Sequence, residues 1–398
     1  MISTQTAASS VVVMEWVCGG GLRHVPVGDI PSGLRAEGQA MMLALVQGLA
    51  AAGCHVRVPL DTRLVDAAAV QRLSPAVQVE AVRDVPPRDY LHVWCDVSQD
   101  CDCAWLVAPE TDGVLCQAAC ALRRCGVRLL TADAAFLEAA SDKRLTAAAW
   151  HTHHIPHPPC IGLDQINSRW VADHCPKNND GGDTADARWI VKPADGAGCD
   201  GLQMITTQQL WSMRQAACPT ATGDLAAAEA AAPSKLLVQP WVTGVAASCA
   251  AMIDAGGQAH WMPVVSQDFD TSASGRLHYR GSTLPLPHVT SGVPYELFNR
   301  CLGALPGTPR GWIGLDLVFE PQCQQWTIIE INPRCTSSLV GLAAAYQGNL
   351  VGDCWRLQQG TLEQLPGHFT AHRFRLPPTD SLHPVVQRQA TEIHHQHR

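Results

Sequence analysis

Glu330 and Asn332 stand two residues apart among the apolar residues Ile328, Ile329 and Ile331. On a strand that spacing puts both oxygen-bearing side chains on one face. Asp316 lies inside the preceding apolar segment, 311–319, and the short connection 321–325 predicts a hairpin that brings this third oxygen close. Three hard oxygen donors suit Mg2+, with Mn2+ as an alternative, because such ions take octahedral oxygen shells and commonly keep substrate phosphates among their ligands. The competing reading, carboxylates satisfied by backbone hydrogen bonds, leaves two charges within apolar strands, which is costly without a cation.

A second chemical element precedes it. Lys192 ends a strand predicted over 189–192, immediately before Pro193 and the stretch Asp195-Gly196-Ala197-Gly198-Cys199-Asp200-Gly201. An ammonium beside a run of backbone N–H groups can surround phosphate oxygens. The loop matches neither of the common phosphate-binding glycine motifs, so its placement after the lysine, rather than its glycines alone, points to a nucleotide.

The elements that must hold these residues follow from pattern. Apolar runs and helical periods alternate over 11–17, 36–52 and 55–58, then 90–95, 105–108, 115–124 and 127–130, which predicts a doubly wound α/β domain over 1–135. A helix over 142–151 with Asp142 in its first turn connects it to a second unit, 136–350. That unit is read as strands over 189–192, 202–205, 235–239, 246–253, 261–266, 311–319 and 326–331 and a helix over 293–305. Two breaks, 176–187 and 216–234, are read as flexible, and 351–398, rich in Pro, Gln and His, as a partly disordered tail without a packed-core pattern.

Composition narrows the partners. The chain has 398 residues, 46% hydrophobic and 16% charged, enough for more than one core. A net charge of −8 with only 28 Lys and Arg argues against nucleic acid. The first residues lack a basic signal region, and no run reaches the roughly 20 apolar residues of a membrane span, so no membrane partner is expected and the cytoplasm is the expected compartment. Seventeen cysteines, an odd number, read as reduced thiols, and neither Cys101-Asp102-Cys103 nor the cluster of His151, His153, His154 and His157 has structural-zinc spacing.

The ordered set Asp142-Lys143, Trp189-Ile190-Val191-Lys192-Pro193, Leu237-Val238-Gln239-Pro240-Trp241-Val242-Thr243-Gly244, Gly314-Leu315-Asp316 and Glu330-Ile331-Asn332-Pro333-Arg334 resembles the ATP-grasp superfamily. The resemblance implies a pre-ATP-grasp domain followed by two α+β subdomains clasping ATP. It implies Lys143 and Lys192 on the nucleotide phosphates, the loop with Gly196, Gly198 and Gly201 as a lid, and Gln239, Pro240, Trp241 and Val242 as the strand along adenine. Asp316, Glu330 and Asn332 then match the magnesium ligands, and Arg334 or Arg280 would hold a carboxylate or the transferred phosphate. Where many relatives have Glu after the Gln, this chain has Pro240, which supplies no N–H, so the amide of Val242 becomes the expected adenine donor.

The N-terminal pattern is similar to the tyramine-glutamate ligase group of methanofuran biosynthesis: Glu15-Trp16-Val17-Cys18-Gly19-Gly20-Gly21, Ala36-Glu37-Gly38-Gln39-Ala40-Met41, Ala108-Pro109-Glu110-Thr111-Asp112-Gly113 and Tyr279-Arg280-Gly281. Gly19, Gly20, Gly21 and Glu110 fall at carboxyl ends of predicted strands, where open α/β sheets bind ligands. The resemblance thus implies an ATP-dependent carboxylate-amine ligase with a small acid and a small amine as substrates, and it leaves a homodimer open. An ATP-grasp carboxylase, another amide-forming ligase and a non-catalytic ATP-binding sensor are the competing readings.

Overall fold

The computed structural model describes residues 8–82, 90–176, 187–198, 201–217, 235–286, 289 and 292–375. Most of both breaks, 177–186 and 218–234, lies outside the described residues, as do Cys199, Asp200 and 376–398.

Short β-branched runs closed by turns build the first sheet. Its elements are β1 (Ser10–Glu15), α1 (Ser32–Ala51), β2 (His55–Leu60), α2 (Ala67–Gln71), β3 (Val77–Ala81), α3 (Tyr90–Ser98), β4 (Cys103–Val107), α4 (Val114–Arg124) and β5 (Arg128–Leu129). All its pairings are parallel, in the order β3-β2-β1-β4-β5. The chain reverses its direction of travel between β1 and β4, which opens a crevice beyond their carboxyl ends.

Two details differ from the sequence reading. The segment expected as a strand over 90–95 is α3: Tyr90, Trp94 and Val97 recur at helical spacing, and the buried Trp94 indole donates to the Gly19 carbonyl at 2.9 Å. The edge strand β3 was not expected; Val77 and Val79 alternate with Gln78 and Glu80 over too short a run to stand out.

Next come α5 (Ala134–Ser141) and α6 (Lys143–Thr152). Asp142 is the N-cap of α6, its carboxylate accepting from the Arg144 amide at 2.8 Å. β6 (Ile161–Gly162), α7 (Ser168–His174), β7 (Arg188–Pro193), β8 (Gln203–Thr206), α8 (Thr207–Ala217) and β9 (Leu236–Pro240) follow, with the antiparallel sheet order β6-β9-β7-β8. The last sheets use β10 (Val245–Ile253), β11 (Ala259–Trp261), β12 (Val265–Ser266), β13 (Asp268–Thr271) and β14 (Leu277–Leu284), then α9 (Tyr295–Gly303), β15 (Gly311–Glu320) and β16 (Gln325–Asn332). Their main sheet runs β11-β10-β15-β16.

The expected tail is corrected over much of its length. α10 (Ser338–Ala345) leads into α11 (Leu350–Gln358), and β17 (His372–Arg375) pairs with β14. Leu350, Val351, Cys354, Trp355 and Leu357 are buried in the same core as Met42, Leu45 and Leu49 of α1. Apolar residues at three- and four-residue spacing over 350–357 carried that signal beneath the polar composition that follows. Among the described residues no helix is long and apolar enough to cross a membrane.

The α1–α11 contact depends on Gly48, where a Cβ would stand 2.5 Å from the Val351 Cβ. In a free helix Gly→Ala gains about 1 kcal/mol, whereas overpacking a rigid β-branched neighbour costs about 1–3 kcal/mol. Gly48→Ala is therefore expected to lower the urea midpoint, and a raised midpoint would contradict this packing.

Candidate active site

Hairpin β15–β16 sets the first half of the site. Asp316 pairs with Glu330 and Gly314 with Asn332, and a register shift beside Asp316 lets Leu317 pair with Ile328. The extra residue, Ile329, turns toward the cleft along with Glu330 and Asn332, while Ile328 and Ile331 stay in the core. Asp316 accepts from Gln267 Nε2 at 2.8 Å on one oxygen and from Asn332 Nδ2 at 3.1 Å on the other.

The opposite wall brings the lysines. Lys192, buried at the end of β7, lies 3.5 Å from one Glu330 oxygen, and Lys143, at the start of α6, lies 3.1 Å from the other. The Lys143 ammonium also donates to the Gly196 carbonyl at 2.5 Å, and its backbone N–H donates to Ala194 at 2.9 Å. Thus the helix start, the glycine-rich loop and the carboxylate strand meet at one point.

These contacts set the charges. Burial pushes Glu330 up, but the ammonium groups of Lys143 and Lys192 outweigh it and hold the carboxyl below its ordinary value. Burial pulls the Lys192 ammonium down, against the opposing pull of Glu330. Asp316 has no such cation in contact: burial and then the charge of Glu330 push it up to about 6. The two neighbouring carboxylates are thus unequal, one saturated with positive charge and the other short of it.

A cleft runs between the sheet β6-β9-β7-β8 and the sheet β11-β10-β15-β16, with β13 and β14 along one side. Ile190, Leu202, Pro240, Trp241, Val242, Leu317 and Ile329 give it apolar walls; Lys192, Asp316 and Glu330 give it charge; Gln239, Asn332, Glu37, Tyr279, Arg334, Thr336 and Ser337 are among its other lining residues. Gly198 lines it too, whereas Gly196 enters through its bond to Lys143. Gly201 adopts a φ of 69° against Pro193 and does not line the cleft. At the end of β9 the Trp241 N–H donates to the Arg188 carbonyl at 2.9 Å, and Pro240 has no N–H.

The Arg334 side chain is only 10% exposed, its Nε–H shared between both oxygens of Glu110 at 3.0 Å each. Burial would lower the guanidinium pKa, but Glu110 more than offsets it. Glu110 sits beyond the carboxyl end of β4, so the first domain fixes a residue of the cleft from behind. Four expected residues are placed otherwise, among them Gly20, which has a φ of 97° and faces Val82 rather than the cleft. Arg280 is exposed and pairs with Asp270 at 2.7 Å, because strand alternation turns Tyr279 rather than Arg280 inward. Gly19 and Gly21 pack against Trp94 and Trp16 instead of lining the cleft, a Cβ on Gly21 falling 2.1 Å from the Trp16 indole nitrogen. Glu37, Gln267, Thr336 and Ser337 were not expected in the site. Of these, Glu37 alone stands in one of the resemblance motifs, Ala36-Glu37-Gly38-Gln39-Ala40-Met41.

A model of the ATP-grasp domain matches residues 140–338, half of the chain, and a model of the pre ATP-grasp 3 domain matches residues 54–135. The chain belongs to the ATP-grasp family. Its pre-ATP-grasp and ATP-grasp folds recur in solved structures of low identity. A protein of Archaeoglobus fulgidus assigned to the ATP-grasp superfamily is 16% identical, with a TM-score of 0.59 and 92% of each chain covered. N5-carboxyaminoimidazole synthetase from Staphylococcus aureus, complexed with ADP, is 13% identical with a TM-score of 0.58, over 91% of this chain and 80% of that one. The biotin carboxylase domain of the Hydrogenobacter thermophilus 2-oxoglutarate carboxylase, in complex with MgADP, ADP and bicarbonate, is 11% identical with a TM-score of 0.60, over 90% and 70%. No curated protein matches the chain.

Proposed function

We propose that this ATP-grasp chain is an ATP- and Mg2+-dependent carboxylate-amine ligase that works through an acyl phosphate. The observation that carries the reading is Glu330 held between Lys143 and Lys192 and standing beside Asp316 and Asn332 on the cleft-facing side of the β15–β16 hairpin. The residues fit a divalent ion: two carboxylates and an amide are hard oxygen donors, and Asp316 is short of the positive charge a cation would provide. Asp316, Glu330 and Asn332 would hold Mg2+, which would supply positive charge against the negative charge of the transferring group.

The chain's own residues supply the rest. The apolar walls hold adenine, with the Val242 amide as donor. When nucleotide enters, Glu330 gives up its lysines to the phosphates, so positive charge already paid for by folding is aimed at the group that moves. The substrate carboxylate attacks the γ-phosphorus, ADP leaves, and an amine then displaces phosphate from the acyl carbon. Arg334, fixed by Glu110, orients the acid, and the glycine-rich loop shields the anhydride from water. The motifs shared with the tyramine-glutamate ligase group make glutamate and tyramine the first pair to test.

The test is ADP release with Mg2+, ATP and a panel of acids and primary amines. Release that requires both an acid and an amine, with the amide found by mass spectrometry, is expected. ATP binding without turnover under every pair would instead favour a sensor.

A further inference from the structure

One carboxylate in the cleft has no part in the reaction as described. Glu37 reaches the cleft from α1, in the first domain, beside Tyr279 and Ser337. The Ser337 side chain interacts with both of them, so that the three form one polar group. Burial pushes the Glu37 carboxyl up, and Arg334 opposes this only in part. That guanidinium is engaged elsewhere, with its Nε–H on both oxygens of Glu110.

The position is informative. Tyr279 feels the charges of both Glu37 and Asp316, and Arg334 acts on both Glu37 and Glu330. The trio therefore adjoins the centre where an acyl phosphate would form. Its chemistry suits one partner: a primary ammonium carries three N–H donors, and a carboxylate, a phenol and a hydroxyl offer three acceptors. A substrate carboxylate would meet repulsion from Glu37 and belongs on the Arg334 side.

We propose that Glu37, Tyr279 and Ser337 form the subsite for the amine substrate, which binds as a primary ammonium, and that Glu37 takes the proton that frees its lone pair. This rests on the ligase reading above. In the step, one N–H proton passes to the Glu37 carboxylate and the nitrogen lone pair forms the C–N bond at the acyl carbon. The bond from that carbon to the phosphate oxygen breaks, phosphate departs with the electron pair, and it accepts the second nitrogen proton.

Hydroxylamine separates this role from the rest of catalysis, because it is neutral near pH 7 and attacks acyl phosphates without a base. Wild type and Glu37→Gln are compared with glutamate, MgATP and either tyramine, or whichever panel amine releases ADP fastest, or hydroxylamine. The ratio of amide to hydroxamate is expected to fall by about 30-fold or more in Glu37→Gln, the loss of a charged hydrogen bond, mainly through a higher KM for the amine. Glu37→Asp is expected to recover part of it. An unchanged ratio overturns the subsite, including the case in which both products decline together. Failure of the wild type to form either product with any acid of the panel sinks the ligase reading itself, and the subsite with it.

Discussion

Glu330→Gln is expected to lower acid-dependent ADP formation by about 10³-fold or more and also to destabilise the nucleotide-free protein. The activity loss follows from removing an anionic metal ligand at the point where charge is transferred. The stability loss has a different origin. Lys143 and Lys192 would stay buried without the carboxylate that now lies 3.1 and 3.5 Å from them, and breaking a buried pair costs about 3 kcal/mol. Its pH dependence has a definite sign: Glu330 is held below its ordinary value of 4.5, so its contribution is present above that value and is lost as pH falls through the folded pKa. The wild type should therefore be the more stable at pH 7, by urea denaturation, and the gap should close in acid. An equal midpoint at pH 7 would mean that the lysines do not depend on Glu330.

Asp316→Asn should abolish turnover to a similar extent, yet stabilise the nucleotide-free protein. Asp316 titrates near 6 in the folded chain against an ordinary value of 3.8, because it is buried beside Glu330 with no cation in contact. An acid with a raised folded pKa weakens the fold when ionised, fully above about 6 and not at all below 3.8. Removing the charge is thus expected to gain about 2–3 kcal/mol at pH 7 or higher, shrinking as pH falls through 6 and gone near 4. Thermal unfolding without nucleotide at pH 7.5 and pH 4.5 measures it. Loss of stability at pH 7.5 would show that the hydrogen bonds from Gln267 and Asn332 outweigh the buried charge. Two ligands of one ion that move stability in opposite directions would mark a site preloaded with charge on one side and left short of it on the other.

The sequence made some of this legible and hid the rest for physical reasons. Local periodicity placed β1, α1, β2, β7, β15 and β16, because each is a contiguous apolar run with clear ends. It put Asp316, Glu330 and Asn332 together because hairpin register is local, with a connection of only a few residues. The charge asymmetry between Asp316 and Glu330 was not legible, since it depends on Lys143 and Lys192 arriving from distant segments. The Arg280 guanidinium suits a carboxylate, but strand parity decides which neighbour turns inward, and it turns Tyr279 into the cleft. The 90–95 segment fits both a two-residue and a helical period, and the tie was broken by Trp94 docking on Gly19, a contact across 75 residues. Glu37 was visible only as part of a motif. Its place in the cleft is created by the packing of the first domain against the second.

The most direct test of the central claim follows one oxygen atom. With the acid substrate labelled with oxygen-18 in its carboxylate, attack on the γ-phosphorus carries one labelled oxygen into the phosphate released when the amide forms. Mass spectrometry of that phosphate should find one label per amide made. Amide formed alongside unlabelled phosphate would contradict an acyl phosphate, and with it the assignment of Asp316, Glu330, Asn332 and the paired lysines to phosphoryl transfer onto a carboxylate.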